Sequence, residues 1–211
     1  KLSRVDLYGI GTNLTCFSFI QADEEKMECL AEMRRKVENA AGHTLEIVSG
    51  GNSAALDLMM RGGICEGVDN FRLGESLLFG KERSRYTFLP GTRNDGFILE
   101  CEVVEAKVKP SLPWGTAGVD SYGRKPVFTD RGEKRKKVIC AIGRQDFDAE
   151  TATPVDEGIL ILGASSDHLM LDVTDSVKEY KVGDIVELRL GYFSVLRAFT
   201  SPYVEKIFLK K

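Results

Sequence analysis

Two short segments carry residue types that could do chemistry: Val48-Ser49-Gly50-Gly51-Asn52-Ser53 and Phe71-Arg72-Leu73-Gly74-Glu75. Each follows a brief apolar stretch, 45–48 and 68–71, and sets glycine beside a small polar or charged residue where a strand gives way to a helix. Backbone amides at such a turn can hold a phosphate. Ser53 adds a hydroxyl donor, Gly74 lets the backbone approach a ligand closely, and Arg72 supplies a permanent cation. Taken singly, Ser53 also reads as the N-cap of the helix that follows, a role compatible with holding a phosphate, and Arg72 as a surface arginine at a strand end.

The elements that must position these turns alternate. Apolar strands over 4–10, 45–48 and 68–73 are interleaved with helical segments over 23–40, 53–60 and 76–79, the pattern of parallel βα units. In the longest helix Met27, Leu30, Ala31, Met33 and Val37 or Ala41 form one stripe, which places the methionines and Cys29 in the core. After Leu89-Pro90-Gly91 the pattern becomes β-rich, with strands expected over 97–108, 137–142, 158–162, 169–173, 185–190 and 203–209. Segment 109–135 holds the only tryptophan and reads as an excursion of loop and hairpin character. The division therefore falls at 1–89 and 90–211.

Composition narrows the function classes. A net charge of -3 gives no bias toward nucleic acid, and the basic run 131–137 is broken by Gly132 and Glu133, as in a solvated loop. Five widely spaced cysteines without a Cys-x-x-Cys pair, beside two histidines, fit reduced thiols in a cytoplasmic protein and give no metal-ligand set. No apolar run reaches the roughly twenty residues of a membrane span. Three parallel strands alone leave two edges and an apolar interior exposed, so they are completed by another chain, or by further sequence before Lys1, which is not an initiator methionine, or form a distorted open sheet; further sequence is the expectation favoured.

In order along the chain, Gly9-Ile10-Gly11-Thr12-Asn13, Ser49-Gly50-Gly51-Asn52-Ser53-Ala54-Ala55 and Arg72-Leu73-Gly74-Glu75-Ser76-Leu77-Leu78-Phe79-Gly80 resemble the last three strands of the alanine-racemase-type barrel, which binds pyridoxal 5'-phosphate. Ser121-Tyr122-Gly123-Arg124, Gly143-Arg144-Gln145-Asp146, Gly163-Ala164-Ser165-Ser166-Asp167-His168 and Lys181-Val182-Gly183-Asp184 resemble the β domain of the same family, closest to its ornithine-racemase branch. The fold class implied is α/β plus β: the last three βα units of a TIM-type barrel, then a C-terminal β domain.

The resemblance also implies roles. Ser53 with the backbone at Gly74 and Glu75 would hold the cofactor phosphate, Asn52 would orient the turn, and Arg72 would face the pyridine nitrogen. Tyr203 lies within one residue of a family tyrosine that touches the phosphate, with Tyr192 a weaker candidate. Asn13 stands where many members carry a histidine beside the cofactor, and is otherwise a turn asparagine after Gly11. The family's β-domain tyrosine, its second proton carrier, is replaced in the turn Gly143-Arg144-Gln145-Asp146-Phe147. Arginine stays protonated and is a poor base. Either the second base differs, or Arg144 binds a substrate carboxylate and another group, such as Asp146, moves the proton. Ser166 and Asp167 fall near the expected substrate carboxylate or simply form a turn, and His168 reads as a strand-edge residue.

The reactive lysine that would hold the cofactor covalently, with its Ala-Asp-Ala-Tyr-Gly-type run, has no counterpart here. The expectation is the C-terminal portion of an amino-acid racemase, acting on an amino acid such as ornithine or another basic or polar one, dimeric when complete and inactive as given. The alternatives are a protein that carries the cofactor without catalysis and a dimerisation module.

Overall fold

A computed structural model describes residues 4–119 and 123–210; Ser121 and Tyr122 of the β-domain motif lie outside them. The chain forms two compact units, Lys1–Gly96 and Phe97–Lys211.

In the first unit β1 (Gly9–Gly11), β2 (Ile47–Asn52) and β3 (Asn70–Arg72) make a parallel sheet in that order. The helices α1 (Glu24–Ala41), α2 (Leu56–Met60) and α3 (Glu75–Phe79) follow the three strands in turn. The strands are shorter than, or displaced from, the apolar runs that suggest them. Pairing, and not hydrophobicity, sets their limits: β1 meets β2 only from Gly9 opposite Ile47 to Gly11 opposite Ser49. The approach there is close, since a Cβ on Gly9 would stand 2.3 Å from the Ile47 carbonyl oxygen.

Helix α1 begins where the Asp23 carboxylate accepts the Lys26 N–H at 2.9 Å and stops at Gly42, whose φ of 76° suits glycine. Its buried face is Met27, Leu30 and Ala31, and the first two pack with Val48, Leu58 and Val68 into the core. The wider stripe read from the sequence is corrected here. Cys29 is exposed and Met33 half-exposed, because about 100° per residue carries Cys29 about 200° round the helix from Met27. Arg34 lies on the inner side instead, and its Nε donates to Glu38 Oε1 at 2.9 Å. The Leu45 N–H and then Arg34 hold the Glu38 carboxyl below its ordinary range.

The second unit is a six-stranded antiparallel sheet. Its strands β4 (Ile98–Lys109), β5 (Arg135–Cys140), β6 (Ala152–Pro154), β7 (Leu160–Ala164), β8 (Leu169–Asp172) and β9 (Ile185–Leu190) are ordered β6-β9-β4-β5-β8-β7. The long β4 serves two partners, pairing with β9 through Ile98–Glu102 and with β5 from Val103 onward. Alternate residues Leu99, Cys101 and Val103 point inward, joined by Val138, Cys140, Leu169, Leu171, Val186 and Leu188. At the rim of this core the Arg135 Nε donates to the buried Asp172 carboxylate at 2.8 Å.

Two features depart from the sequence reading. Residues 203–209 form no strand, and Tyr203, Ile207, Phe208 and Leu209 are exposed. Ahead of them a helix, α4 (Tyr192–Thr200), follows β9 directly. Its Ser194 hydroxyl donates to the Asp148 carbonyl at 2.6 Å, and the Phe199 ring meets Phe97 edge-on at 5.9 Å. Cys101 and Cys140 are buried on neighbouring strands, where the hydrogen bond between them, and then burial, push the Cys101 thiol up. No helix among the described residues is long and apolar enough to cross a membrane.

Candidate functional site

Both turns singled out by the sequence lie at the carboxyl ends of parallel strands, the edge at which α/β sheets place ligands. Between the Ser49–Asn70 and Asn52–Arg72 pairs the register of β2 against β3 shifts. Gly51 takes up the irregularity at a φ of 126°, a conformation that favours glycine. The chain then turns at once into a short 3-10 segment, Ser53–Ala55, ahead of α2.

The cap of that segment is Asn52, whose Oδ1 accepts the Ala54 N–H at 2.8 Å. This corrects the N-cap reading of Ser53 and leaves the Ser53 hydroxyl for another purpose. It accepts the N–H of Gly74 at 3.2 Å and of Ser76 at 3.3 Å, and stands 3.1 Å from the Ser76 hydroxyl. Two hydroxyls and two amides therefore converge in a space that is nearly closed to solvent, with Ser53 and Ser76 each 5% exposed. A Cβ on Gly74 would meet nothing within 4 Å, so its backbone is open to an approaching group. Both amides are taken up by the Ser53 oxygen, so an oxyanion entering at Gly74 would compete with that oxygen for them.

Around it the predicted residues gather. The Asn52 Nδ2 donates to Asn13 Oδ1 at 2.6 Å and to the Leu14 carbonyl at 3.1 Å, tying the loop after β1 to the end of β2. Arg72 is held by two bonds, Nη1 to the Ser49 hydroxyl and Nη2 to the Thr12 carbonyl at 2.8 Å. A guanidinium fixed in this way presents a set direction of charge. Glu75 directs its carboxylate to Arg83 Nε at 3.5 Å, which leaves only its main chain for the clamp. The sequence thus points to Asn13, Asn52, Ser53, Arg72, Gly74 and Glu75, and the fold brings them to one place. Its motifs do not single out Ser49, Thr12 or above all Ser76, although Ser76 stands two residues beyond Gly74 in the same run.

Arg144, Asp146 and Tyr203 lie in the second unit. A Cβ on Gly143 would come within 2.3 Å of the Asp167 N, so the turn 143–147 runs tight against the segment before β8. The Arg144 Nε donates to the Ala164 carbonyl at 2.8 Å, and Arg144 lines a cleft with Arg124, Asp148, Glu150 and Arg197. Asp146 does not suit a proton carrier. Its carboxylate is 4% exposed and accepts the Ser201 hydroxyl at 2.7 Å, which makes it an anchor between the turn and the end of α4. Tyr203 is exposed and gives its N–H to Ser201 Oγ at 3.1 Å. Ser166 and His168 are exposed beside Asp167, whose carboxyl the Ser166 hydroxyl and then His168 hold low; this is a hydrogen-bonded turn. No group of three or more metal-ligating side chains occurs among the described residues.

No protein-family model matches the chain. An ornithine racemase from Acetoanaerobium sticklandii is 45% identical over 206 residues, 98% of this chain and 58% of that protein. A lysine racemase from Thermotoga maritima is 44% identical over 203 residues, 96% of this chain and 57% of that protein. The chain thus spans somewhat over half the length of the curated relatives it matches. Among solved structures, an alanine racemase from Bartonella henselae with covalently bound pyridoxal phosphate superposes at a TM-score of 0.53, with 21% identity, over 85% of this chain and 47% of its own. The alanine racemase of Clostridium difficile 630 in complex with cycloserine does so at 0.52, also with 21% identity, over 95% of this chain and 53% of its own. The three βα units and the antiparallel β unit are the architecture expected from the motifs: by sequence the chain is a homologue of the ornithine and lysine racemases, and by fold it is of the alanine-racemase type.

Proposed function

We propose that the chain is the C-terminal part of a pyridoxal 5'-phosphate-dependent amino-acid racemase, residues 1–89 belonging to its cofactor barrel and 90–211 forming its β domain. The carrying observation is the convergence of the Ser53 and Ser76 hydroxyls with the Gly74 and Ser76 amides, beside a fixed Arg72. These donors fit a phosphate. When bound, the cofactor supplies an electron sink for the charge left on an α-carbon that loses its proton.

In this reading Ser53, Ser76 and the main chain at Gly74 and Glu75 hold the phosphate, while Asn52 and Asn13 keep the loops after β2 and β1 in register with it. By the family resemblance Arg72, fixed on Ser49 and Thr12, would supply a permanent positive charge to the cofactor ring, and a cation there would disfavour a neighbouring proton. Arg144 receives the substrate carboxylate. Asp146 anchors the Arg144 turn, and Tyr203 is the tyrosine that the family resemblance would assign to the phosphate. Ornithine or lysine is the substrate class that the relatives' names support. The assembled enzyme is a cytoplasmic homodimer.

The chain by itself is inactive. Among the described residues of the first unit the lysines are Lys26 and Lys36 on α1 and Lys81 beyond α3, none at a strand end of the sheet. Treatment with pyridoxal 5'-phosphate and borohydride is expected to leave no stoichiometric covalent adduct; one adduct per chain overturns this. Joining the chain to the barrel segment that the relatives supply, then following L- and D-ornithine and lysine by chiral chromatography, tests the function. Interconversion supports the racemase, whereas stoichiometric cofactor binding without interconversion favours a non-catalytic carrier.

A further inference from the structure

The cleft beside Arg144 has an unusual charge arrangement. Arg124, Arg144, Arg197, Asp148 and Glu150 line a space of about 320 Å³, within the range of small-molecule sites. Two of the arginines are fixed from behind by main-chain carbonyls. Arg144 uses its Nε on Ala164, and Arg197 uses Nη1 on the carbonyls of Arg144 at 3.0 Å and Phe147 at 3.4 Å. Asp148 is fixed as well, its carboxylate accepting the Glu150 N–H at 3.1 Å and its carbonyl the Ser194 hydroxyl.

Opposite charges that share a cleft usually pair. Among the described residues, neither Arg144 nor Arg197 has a carboxylate within ion-pair distance, and neither Asp148 nor Glu150 has a cation. Both signs of charge therefore line one cleft without an ion pair joining Arg144 or Arg197 to Asp148 or Glu150. A simple anion would satisfy the guanidinium groups and leave two carboxylates facing like charge, and a simple cation would do the reverse. A ligand carrying both charges, held apart by a short aliphatic spacer, satisfies both poles.

We propose that this cleft is a specificity site for amino acids with an amino group at the end of the side chain: Arg144 and Arg197 take the carboxylate, and Asp148 and Glu150 the distal ammonium. The assignment rests on the reading that amino acids are the substrates, and it adds the residues that select among them. It predicts discrimination against amino acids with apolar side chains, which offer nothing to the acidic pole.

The test uses the 211-residue chain without cofactor and three probes: 5-aminovalerate, which keeps the carboxylate and the distal ammonium but has no α-amino group, valerate, and n-pentylamine. Calorimetric titration is expected to give 5-aminovalerate an affinity about tenfold above either single-charge probe, because the second pole adds one charge-assisted hydrogen bond. Glu150 is exposed, so Glu150→Gln does not endanger the fold, and it is expected to remove most of that advantage while leaving valerate unchanged. Arg144→Lys is expected to weaken valerate and 5-aminovalerate together and to leave n-pentylamine unchanged. Equal affinity for all three probes, no measurable binding, or an unaltered preference in Glu150→Gln overturns the proposal. Because no cofactor enters the measurement, failure of the racemase reading leaves a positive result standing. A completed enzyme that racemises ornithine while the cleft binds nothing overturns the cleft alone.

Discussion

Replacing Ser53 with alanine removes the oxygen on which the clamp is built. In the intact protein that oxygen accepts two amides, at 3.2 and 3.3 Å, and lies 3.1 Å from the Ser76 hydroxyl. A buried donor left without a partner costs about 1–3 kcal/mol. Here the bonds are long and the Ser76 hydroxyl can rotate to another acceptor, so the two amides set a total loss of about 2 kcal/mol. With a urea dependence of roughly 2 kcal/mol per molar, the unfolding midpoint falls by about 1 M, which far-UV circular dichroism resolves. The variant then reports on the ligand. Phosphate oxygens supply new acceptors for the Gly74 and Ser76 amides, so pyridoxal 5'-phosphate should narrow the gap between Ser53→Ala and the parent chain, and pyridoxal, which lacks the phosphate, should not. A gap below about 0.5 kcal/mol, the ordinary range of a surface substitution, refutes the structural half of this argument. Equal narrowing by pyridoxal refutes the phosphate half.

In the second unit, Asp172→Ala removes the buried carboxylate that accepts from Arg135 and Thr174, while Arg135 keeps Asp175, and is expected to cost about 1–3 kcal/mol in the same unfolding experiment. Burial raises the Asp172 carboxyl, but Arg135 and Thr174 outweigh it and hold it below the usual range. The folded state therefore stays ionised where the unfolded chain takes up a proton. Stability is full above about pH 4 and is lost as pH falls through and below that value, a loss that Asp172→Ala should flatten in acid titrations. Met27→Ala empties a fully buried site between α1 and the parallel sheet and should lower stability by about 2–5 kcal/mol, whereas Met33→Ala, half-exposed on the same helix, should change it by less than about 1 kcal/mol.

The clamp was legible because its parts are local. Gly50-Gly51-Asn52-Ser53 ends a strand with glycine and two small polar side chains, although the cap falls to Asn52 and not to Ser53. The partner hydroxyl on Ser76 was not legible, since strand adjacency alone does not say which residue of the turn after β3 meets Ser53; the shifted register of β2 against β3 decides it. The same limit explains α4. Tyr192, Phe193, Val195 and Phe199 have modest helix preference, and the helix is fixed by tertiary bonds from Ser194 to Asp148 and from Arg197 to the 143–147 turn. Conversely, residues 203–209 look like a strand but pair with no described strand, and the run stays irregular and mostly exposed. Arg144 and Asp146 stand two apart in one motif, yet burial separates their uses, one facing a cleft and the other closed against Ser201.

The distribution of thiols turns the chain into its own clock. Cys16 and Cys29 are exposed and should react first with a maleimide, while Cys101 and Cys140 are buried on β4 and β5 and react only when that pairing opens. Their modification rate is therefore a direct reading of how often the antiparallel unit breathes, obtained without denaturant. A ligand that enters the second unit should slow that rate, and one confined to the first should not.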